Sequence, residues 1–315
     1  MTSYDLCLAW NWEYDAEFVR LLDEACARRG LSLLQVKPDN LGDLLHALVN
    51  QEIVFRAFLD RASEVDERFV PVVCWAVEQG AYRINPSEMA SRCWDKAVMH
   101  LALLKAGLHT PNTTILPSYQ EQPVVSSIDL HLLGERFIIK PAHGGGGAGL
   151  VTDATSLGQV LEVRREYPTD RYLLQAQVVP RQLGTRPAWF RVLYCGGCAY
   201  PCWWGPQTHV YAAVTGSEAC SHGLGVLRGI AASIADLCGL DLFSTEIALS
   251  ADGLFVVVDY VNDPVDLRLQ SKAVDGVPDD LVQDIAERLV DLVVTRTGFA
   301  HDIQRRTDTG QAQIP

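Results

Sequence analysis

The sequence lacks the features of a membrane, secreted or nucleic-acid-binding protein. No apolar run approaches the ~20 residues of a membrane span, and acidic Asp5, Glu13 and Asp15 come too early for a signal peptide. Basic residues are scarce, with 26 Lys and Arg against 39 Asp and Glu, so the net charge is −13. Such a surface repels nucleic acid and anionic membranes. We therefore expect neither as a partner.

The cysteines form no repeating framework, and their number, nine, is odd. This usage is typical of reduced thiols and predicts a cytoplasmic protein. Cys195, Cys198 and Cys202 lie close together, which leaves a metal site open as an alternative. We favour a structural hairpin, because Gly196 and Gly197 form a two-residue turn between apolar segments.

What the sequence does have is a glycine-rich segment after a lysine-tipped strand, in the run F-I-I-K-P-A-H-G-G-G-G at positions 137–147. Lys140 ends the predicted strand as a compact cation with several N–H donors. The glycines that follow let successive backbone N–H groups turn toward one anion, and they are Gly144, Gly145, Gly146 and Gly147. Neither the Walker nor the Rossmann spacing is present. The segment predicts a polyphosphate site, with a flexible hairpin loop as the alternative. For His143, phosphate contact and a hydrogen-bonded bystander both stay open.

A second segment, F-V-V-V-D-Y-V-N-D-P at 255–264, predicts a metal site. A β-branched strand delivers Asp259, Asn262 and Asp263 at its end, and Glu246 lies on the preceding strand. In an antiparallel hairpin Glu246 and Asp259 face the same side. Mg²⁺ is usually held by one or two carboxylates together with substrate phosphates. The alternative is that Asp263 and Pro264 form only a turn.

The order of predicted elements indicates a mixed α/β (α+β) protein. Strands and helices alternate up to Pro86 as an open α/β domain, and two α+β units follow. From Ser91 we predict one continuous helix to Gly107, with an apolar stripe of Val98, Leu101, Leu103 and Leu104. The Trp203–Trp204 pair alternates faces of its strand, so one ring is expected in the core and the other along a pocket.

Taken in order, these motifs resemble the ATP-grasp superfamily over almost the whole chain. The likeness is greatest to its carboxylate–amine ligases, such as glutathione synthetase, D-alanine:D-alanine ligase and the ribosomal-protein glutamate ligases. It rests on D-K at 95–96, F-I-I-K-P with the glycines, L-L-Q-A-Q-V at 173–178, F-R-V-L-Y at 190–194 and D-Y-V-N-D-P at 259–264.

The resemblance implies an ATP-grasp fold in which an N-terminal open α/β domain precedes two α+β lobes that enclose the nucleotide. The implied domains are 1–88, a central lobe 89–174, a C-terminal lobe 175–300 and a flexible tail 301–315.

The resemblance also implies roles for individual residues. Lys96 and Lys140 correspond to two lysines that contact ATP phosphates, and Gly144 to Gly147 correspond to a mobile loop that closes over them. The implied hinge that reads adenine consists of Gln175, Ala176, Gln177 and Val178. The implied catalytic residues are Lys140, Arg191 and Arg268, of which Arg191 corresponds to an arginine that steadies the transferred phosphate.

The implied metal ligands are Glu246, Asp259, Asn262 and Asp263. Most members of the superfamily have Glu-x-Asn, whereas this sequence has Asp259 and Asn262 three residues apart. The choice between Asn262 and Asp263 as a ligand therefore stays open.

The implied activity is ATP-dependent joining of a carboxylate to an amine through an acyl phosphate, with release of ADP and phosphate. The implied cofactors are ATP and Mg²⁺, with Mn²⁺ as an alternative, and the substrates are small molecules or peptides. A nucleotide-binding protein without ligase activity and an ATP-grasp kinase remain alternatives. Related ligases are often dimers or tetramers, so the oligomeric state stays open, with a homo-oligomer as one alternative.

Overall fold

The computed structural model describes residues 1–125, 128–145 and 147–298. Contacts group them into two units. Unit 1 consists of Met1–Pro86 with the described chain from Asp266 onward, and unit 2 is the continuous segment Ser87–Val265. Gly146 and the predicted tail 301–315 lie outside the described residues.

Unit 1 contains a parallel four-stranded sheet in the order β2-β1-β3-β4. Its strands are β1 (Thr2–Trp10), β2 (Leu33–Val36), β3 (Ile53–Arg61) and β4 (Tyr82–Ile84). Its helices are α1 (Ala16–Arg28), α2 (Leu41–Val49), α3 (Val70–Glu78) and α9 (Asp279–Thr297). Short 3-10 turns cover Glu13–Asp15 and Glu67–Phe69. Pro71 is tolerated because it lies in the first turn of α3, where its missing N–H has no helical partner.

Helix α9 packs in unit 1, although the sequence assigns it to a C-terminal lobe. Its buried face includes Val282, Ile285 and Leu289 at helical spacing. Arg28 of α1 forms an ion pair with Glu287 at 3.0 Å, and Arg29 pairs with Asp291. These exposed pairs add little stability, so the apolar face holds the helix in place.

Unit 2 contains two antiparallel sheets. The first has the order β5-β8-β6-β7, and the second has the order β13-β12-β11-β14-β15. The first sheet is built from β5 (Thr113–Leu116), β6 (Phe137–Pro141), β7 (Val151–Ala154) and β8 (Tyr172–Ala176). A small hairpin, β9 (Gln182–Leu183) with β10 (Arg186–Pro187), follows. The second sheet is built from β11 (Trp189–Cys195), β12 (Cys198–Trp204), β13 (Tyr211–Ala213), β14 (Leu242–Leu249) and β15 (Phe255–Asn262).

The helices of unit 2 flank these sheets. They are α4 (Ser87–Trp94), α5 (Lys96–Lys105), α6 (Leu157–Val163), α7 (Gly216–His222) and α8 (Val226–Cys238), with a 3-10 turn at His131–Leu133. The prediction of one continuous helix from Ser91 is wrong, because Asp95 is extended and caps α5 by accepting from the backbone of Ala97 and Val98.

The predicted apolar stripe of α5 is also wrong. Val98, Leu101 and Leu104 are 39%, 56% and 49% exposed, and Leu103 alone of the four is buried. The helix instead buries Ala97, Met99 and His100. A row of leucines on a helix that is apolar on several sides does not identify the face that meets the core.

The hairpin predicted at the cysteine cluster is confirmed. Cys195 at the end of β11 lies directly opposite Cys198 at the start of β12 in the strand register. Between them, Gly196 and Gly197 have φ of 50° and 90°. Two positive φ values in succession are what a type I′ turn requires. None of the nine cysteines, all of which lie in the described part of the chain, forms a disulfide bond. Among the described residues, no helix combines the length and apolar character that crossing a membrane requires.

Candidate active site

Lys140 lies at the C-terminal end of β6 and is only 8% exposed. Its Nζ donates to the carbonyl of Val258 on β15 at 3.3 Å and lies 5.1 Å from the centre of the Tyr260 ring. Burial lowers the pKa of Lys140 to about 8, and the carboxylate of Asp259 partly opposes this shift. A buried cation with few protein partners is suited to binding an anionic ligand.

Two carboxylates face each other on the second sheet. Glu246 on β14 is directly opposite Asp259 on β15, as the sequence predicts. Burial, and then the charge of Asp259, raise the pKa of Glu246, while Arg191 opposes the shift. Trp189 donates its Nε1 proton to Glu246 at 3.2 Å. Like-charged oxygens held together in this way favour a divalent cation between them.

The extra residue in the Asp259–Asn262 spacing is accommodated by an irregularity of β15. Glu246 pairs with Asp259 and Ser244 pairs with Asn262, so the three residues 244–246 of β14 lie opposite the four residues 259–262 of β15. Ser244 and Glu246 share a face, since side chains alternate along a strand. Their partners Asp259 and Asn262 therefore share that face as well. The side-chain amide of Asn262 lies 3.4 Å from the carbonyl of Ser244.

The neighbouring residue Asp263 is held differently. Its backbone carbonyl accepts a hydrogen bond from Trp94 Nε1 at 3.0 Å, just beyond the end of β15. The described residues contain no cluster of three or more His, Cys, Asp or Glu placed to hold a metal. The available donor set is Glu246 and Asp259 with the amide oxygen of Asn262, which suits a hard cation that shares its ligands with phosphate.

The glycine loop starts where β6 ends and is tied to its surroundings at its first residues. His143 donates its backbone N–H to Asp170 at 2.9 Å, and its ring Nδ1 lies 2.9 Å from the same carboxylate. Gly144 has φ of 114°, a conformation that L side chains rarely adopt. At Gly149 (φ 70°) a Cβ would come within 2.8 Å of the Tyr167 ring. His143 thus anchors the loop, and the later residues Gly145 and Gly147 continue it.

Lys96 is the first residue of α5 and lies beside this loop. Its backbone N–H donates to Ala142 at 2.8 Å, and its Nζ donates to the carbonyl of Gly144 at 2.5 Å. The preceding Asp95 caps the helix and also binds Arg171. Lys96 is less buried than Lys140. Both predicted phosphate lysines therefore lie at the start of this loop, Lys140 in the strand that precedes it and Lys96 in contact with Gly144.

The predicted adenine hinge is only partly available to a ligand. The side chain of Gln175 is 1% exposed and donates to Tyr260 Oη at 2.6 Å and to Thr113 Oγ1 at 3.1 Å. The N–H of Ala176 donates to the carbonyl of Asn112 at 2.8 Å. Gln177 donates its side-chain amide to Thr152 at 2.5 Å. Contact with adenine by Gln175, Ala176, Gln177 and Val178 stays a prediction.

Sequence reasoning missed a buried polar network beneath Lys140. Tyr260 Oη lies 2.8 Å from His100 Nδ1 and accepts from Gln175. Burial, followed by the nearby charge of Lys140, lowers the pKa of His100 to about 4, so the imidazole is neutral. The network joins α5, β8 and β15. The signal for it was a tyrosine inside a β-branched strand, next to Asp259.

The two predicted catalytic arginines lie in different units. Arg191 on β11 donates to Ser244 Oγ at 3.1 Å and lies 3.5 Å from Glu246. Arg268 belongs to unit 1, where it binds Asp266 at 2.7 Å and Asp275 at 2.9 Å. Hydrogen bonds to Asp266 are the main cause of a raised pKa at Arg268. A guanidinium already paired with two carboxylates is a weaker anion ligand than Arg191, and its catalytic role stays a prediction.

No protein-family model and no curated protein matches the sequence. Solved structures do match it. The ATP-grasp ligase PsnB with minimal precursor, Mg and ADP has a TM-score of 0.61 and 14% identity over 93% of this chain and 98% of its own. A RimK domain ATP-grasp protein from Sphaerobacter thermophilus has a TM-score of 0.60 and 22% identity over 91% and 99%.

A third match is the D-alanine–D-alanine ligase from Bacillus anthracis with ATP. It has a TM-score of 0.61 and 13% identity over 96% of this chain and 100% of its own. Each of these likenesses spans nearly the whole chain, and at such low identity each is evidence about the fold. The sheets of unit 2, with their buried lysine and facing carboxylates, and the parallel sheet of unit 1 thus form an ATP-grasp fold.

Proposed function

We propose that the protein is an ATP-dependent ligase that joins a carboxylate to an amine through an acyl phosphate, releasing ADP and phosphate. One observation carries this proposal. Lys140, 8% exposed, reaches β15 next to Asp259, which itself faces Glu246. A buried cation beside paired carboxylates supplies both partners of a metal–triphosphate ligand: the cation for the phosphates and the carboxylates for the metal.

The residues fit Mg²⁺, or Mn²⁺ in its place. Glu246 and Asp259 would hold it, with Asn262 favoured over Asp263 because Asn262 shares their face of the sheet. The bound metal would neutralise phosphate charge. The raised pKa of Glu246, caused by burial and by Asp259, supports this assignment, since a cation would relieve both effects.

The remaining residues act by charge and position. Lys140 and Lys96 would contact the phosphates of ATP, and the glycine loop would close over them and exclude water. Arg191 would steady the transferred phosphate and the acyl phosphate that accepts it. No protein nucleophile is needed, because the substrate carboxylate attacks the γ-phosphorus and the amine then displaces phosphate.

The structural matches bear on the choice of substrate. PsnB was solved with a precursor peptide and AMPPNP, whereas another match is a D-cycloserine synthetase. Both a peptide carboxylate and a small amino acid are therefore included among the proposed acids.

The test is incubation of the protein with ATP and Mg²⁺ in pools of amino acids, peptides and amines, with ADP and phosphate measured. We expect both products only when an acid and an amine are present, together with a condensed product lighter by one water. ADP with a stable phosphorylated product would favour a kinase instead. Nucleotide binding without turnover in every pool would contradict both enzyme functions.

A further inference from the structure

One face of the second sheet carries an ordered series of side chains. The strand order is β13-β12-β11-β14-β15. Arg191 on β11 lies opposite Glu246 on one side and opposite Cys202 on the other. Trp204 is two residues beyond Cys202 and so shares its face. Across this face the carboxylates come first, then Arg191, and then Trp204.

Trp204 contacts the guanidinium of Arg191 directly. The Cζ atom of Arg191 lies 4.9 Å from the centre of the Trp204 ring, which is within the range of a cation–π contact. The other contacts of the guanidinium are Ser244 Oγ at 3.1 Å and Glu246 at 3.5 Å. Within the described part of the chain these contacts occupy two of its N–H donors, and a guanidinium has more. The Trp204 ring thus supports the plane of the Arg191 guanidinium, and further N–H donors of that guanidinium remain for an anion.

Trp204 is itself held rigidly. Its ring is stacked on His209 with an interplanar angle of 3° and packs against Tyr211 at 4.5 Å between centroids. It is 7% exposed, which leaves little freedom to rotate. A fixed aromatic surface under the guanidinium restricts the rotamers of Arg191 before any ligand binds. Less side-chain entropy is then lost when Arg191 binds its ligand.

We propose that Trp204 is a positioning residue that holds Arg191 ready for the γ-phosphate and the acyl phosphate. This rests on the proposed ligase function, because it assigns Trp204 a task in that site. Trp204 acts only through Arg191, so it contributes to groups that Arg191 reaches and not to the parts of the nucleotide held by the lysines.

The test compares Trp204→Leu with the conservative Trp204→Phe, which keeps an aromatic face. We expect Trp204→Leu to lower kcat about tenfold and to weaken ATP binding several-fold in calorimetry, while ADP binding changes less than twofold. Trp204→Phe should lose only about twofold in kcat and in ATP affinity, because a smaller aromatic face remains under Arg191. His209→Asn is the graded comparison, because it removes one of the two rings that hold Trp204, leaves Tyr211 packed against the indole, and tolerates the φ of 56° found there. It should stay within about twofold of the wild type.

A double-mutant cycle separates positioning from general loosening. In an Arg191→Met background, Trp204→Leu should have little further effect, because the guanidinium that Trp204 supports is already gone. Full additivity, or an equal loss of ATP and ADP affinity, would overturn the proposal. If Trp204→Leu does not fold, Trp204→Phe must show the same ATP-selective loss, at about twofold. Should the wild type fail to turn over ATP in every pool, the ligase function fails, while the ratio of ATP to ADP affinity still decides the role of Trp204.

Discussion

The two lysines of the candidate site occupy opposite physical environments. Lys140 is buried between two sheets, and desolvation lowers its pKa to about 8. Lys96 begins a helix, is partly exposed and donates to the glycine loop. The buried lysine would act on a bound anion in a low effective dielectric, whereas the partly exposed one is screened by water and salt. The same residue type thus provides a strong fixed charge in one place and an adjustable loop contact in the other.

The largest effect is expected from Lys140→Met, which keeps the length of the side chain and removes its charge. ATP turnover should fall by about a thousandfold or more, since an electrostatic contact in a water-excluded site is lost. Steady-state kinetics with saturating acid and amine measures this. Turnover within tenfold of the wild type would remove Lys140 from its central role.

The same variant is expected to be more stable than the wild type in the absence of nucleotide. The pKa of Lys140 falls from 10.5 to about 8 on folding, which corresponds to about 3 kcal/mol of destabilisation below pH 8. Between these pKa values the unfolded chain binds more protons, so this penalty shrinks as the pH rises.

Urea unfolding at pH 7, 8, 9 and 10 measures the difference in unfolding free energy between Lys140→Met and the wild type. The difference should be largest at pH 7 and decrease steadily above pH 8. Lys96→Met corrects for the general loss of one positive charge. A difference that does not vary with pH would contradict the buried state of Lys140.

The smallest effect is expected from Lys96→Met. ATP affinity should fall about tenfold at low salt and by less at 0.5 M NaCl, because an exposed charge is screened. The contribution of Lys140 should depend less on salt. Calorimetry at both salt concentrations measures both contributions, and equal salt dependence of the two variants would abolish the contrast between the two lysines.

Chemistry-bearing residues could be predicted from the sequence where local pattern determines them. Lys140 ends an apolar strand before glycines, and Glu246 and Asp259 flank a tight turn, so both features follow from short-range rules. The fold followed from the order of such motifs. The structural matches confirm it.

Other features depend on tertiary packing and left no local signal. The shared face of Asp259 and Asn262 results from an irregularity in pairing with β14, which the sequence of β15 alone does not specify. The apolar stripe of α5 was misassigned because several of its faces are apolar. His100 joins Tyr260 across 160 residues of sequence. Such a partner becomes visible only when the chain is folded.

The assignment of α9 to unit 1 has a consequence for the order of folding. Unit 2 is one continuous segment, whereas unit 1 begins with the first strand and is completed only by residues after Asp266. During synthesis the sheets that carry Lys140, Glu246 and Arg191 can form while unit 1 still lacks α9. The apolar face of α1 that α9 contacts therefore stays unprotected until the ribosome has produced nearly the whole described chain. Chaperone binding to the nascent protein is expected at this surface, far in sequence from the residues proposed to perform catalysis.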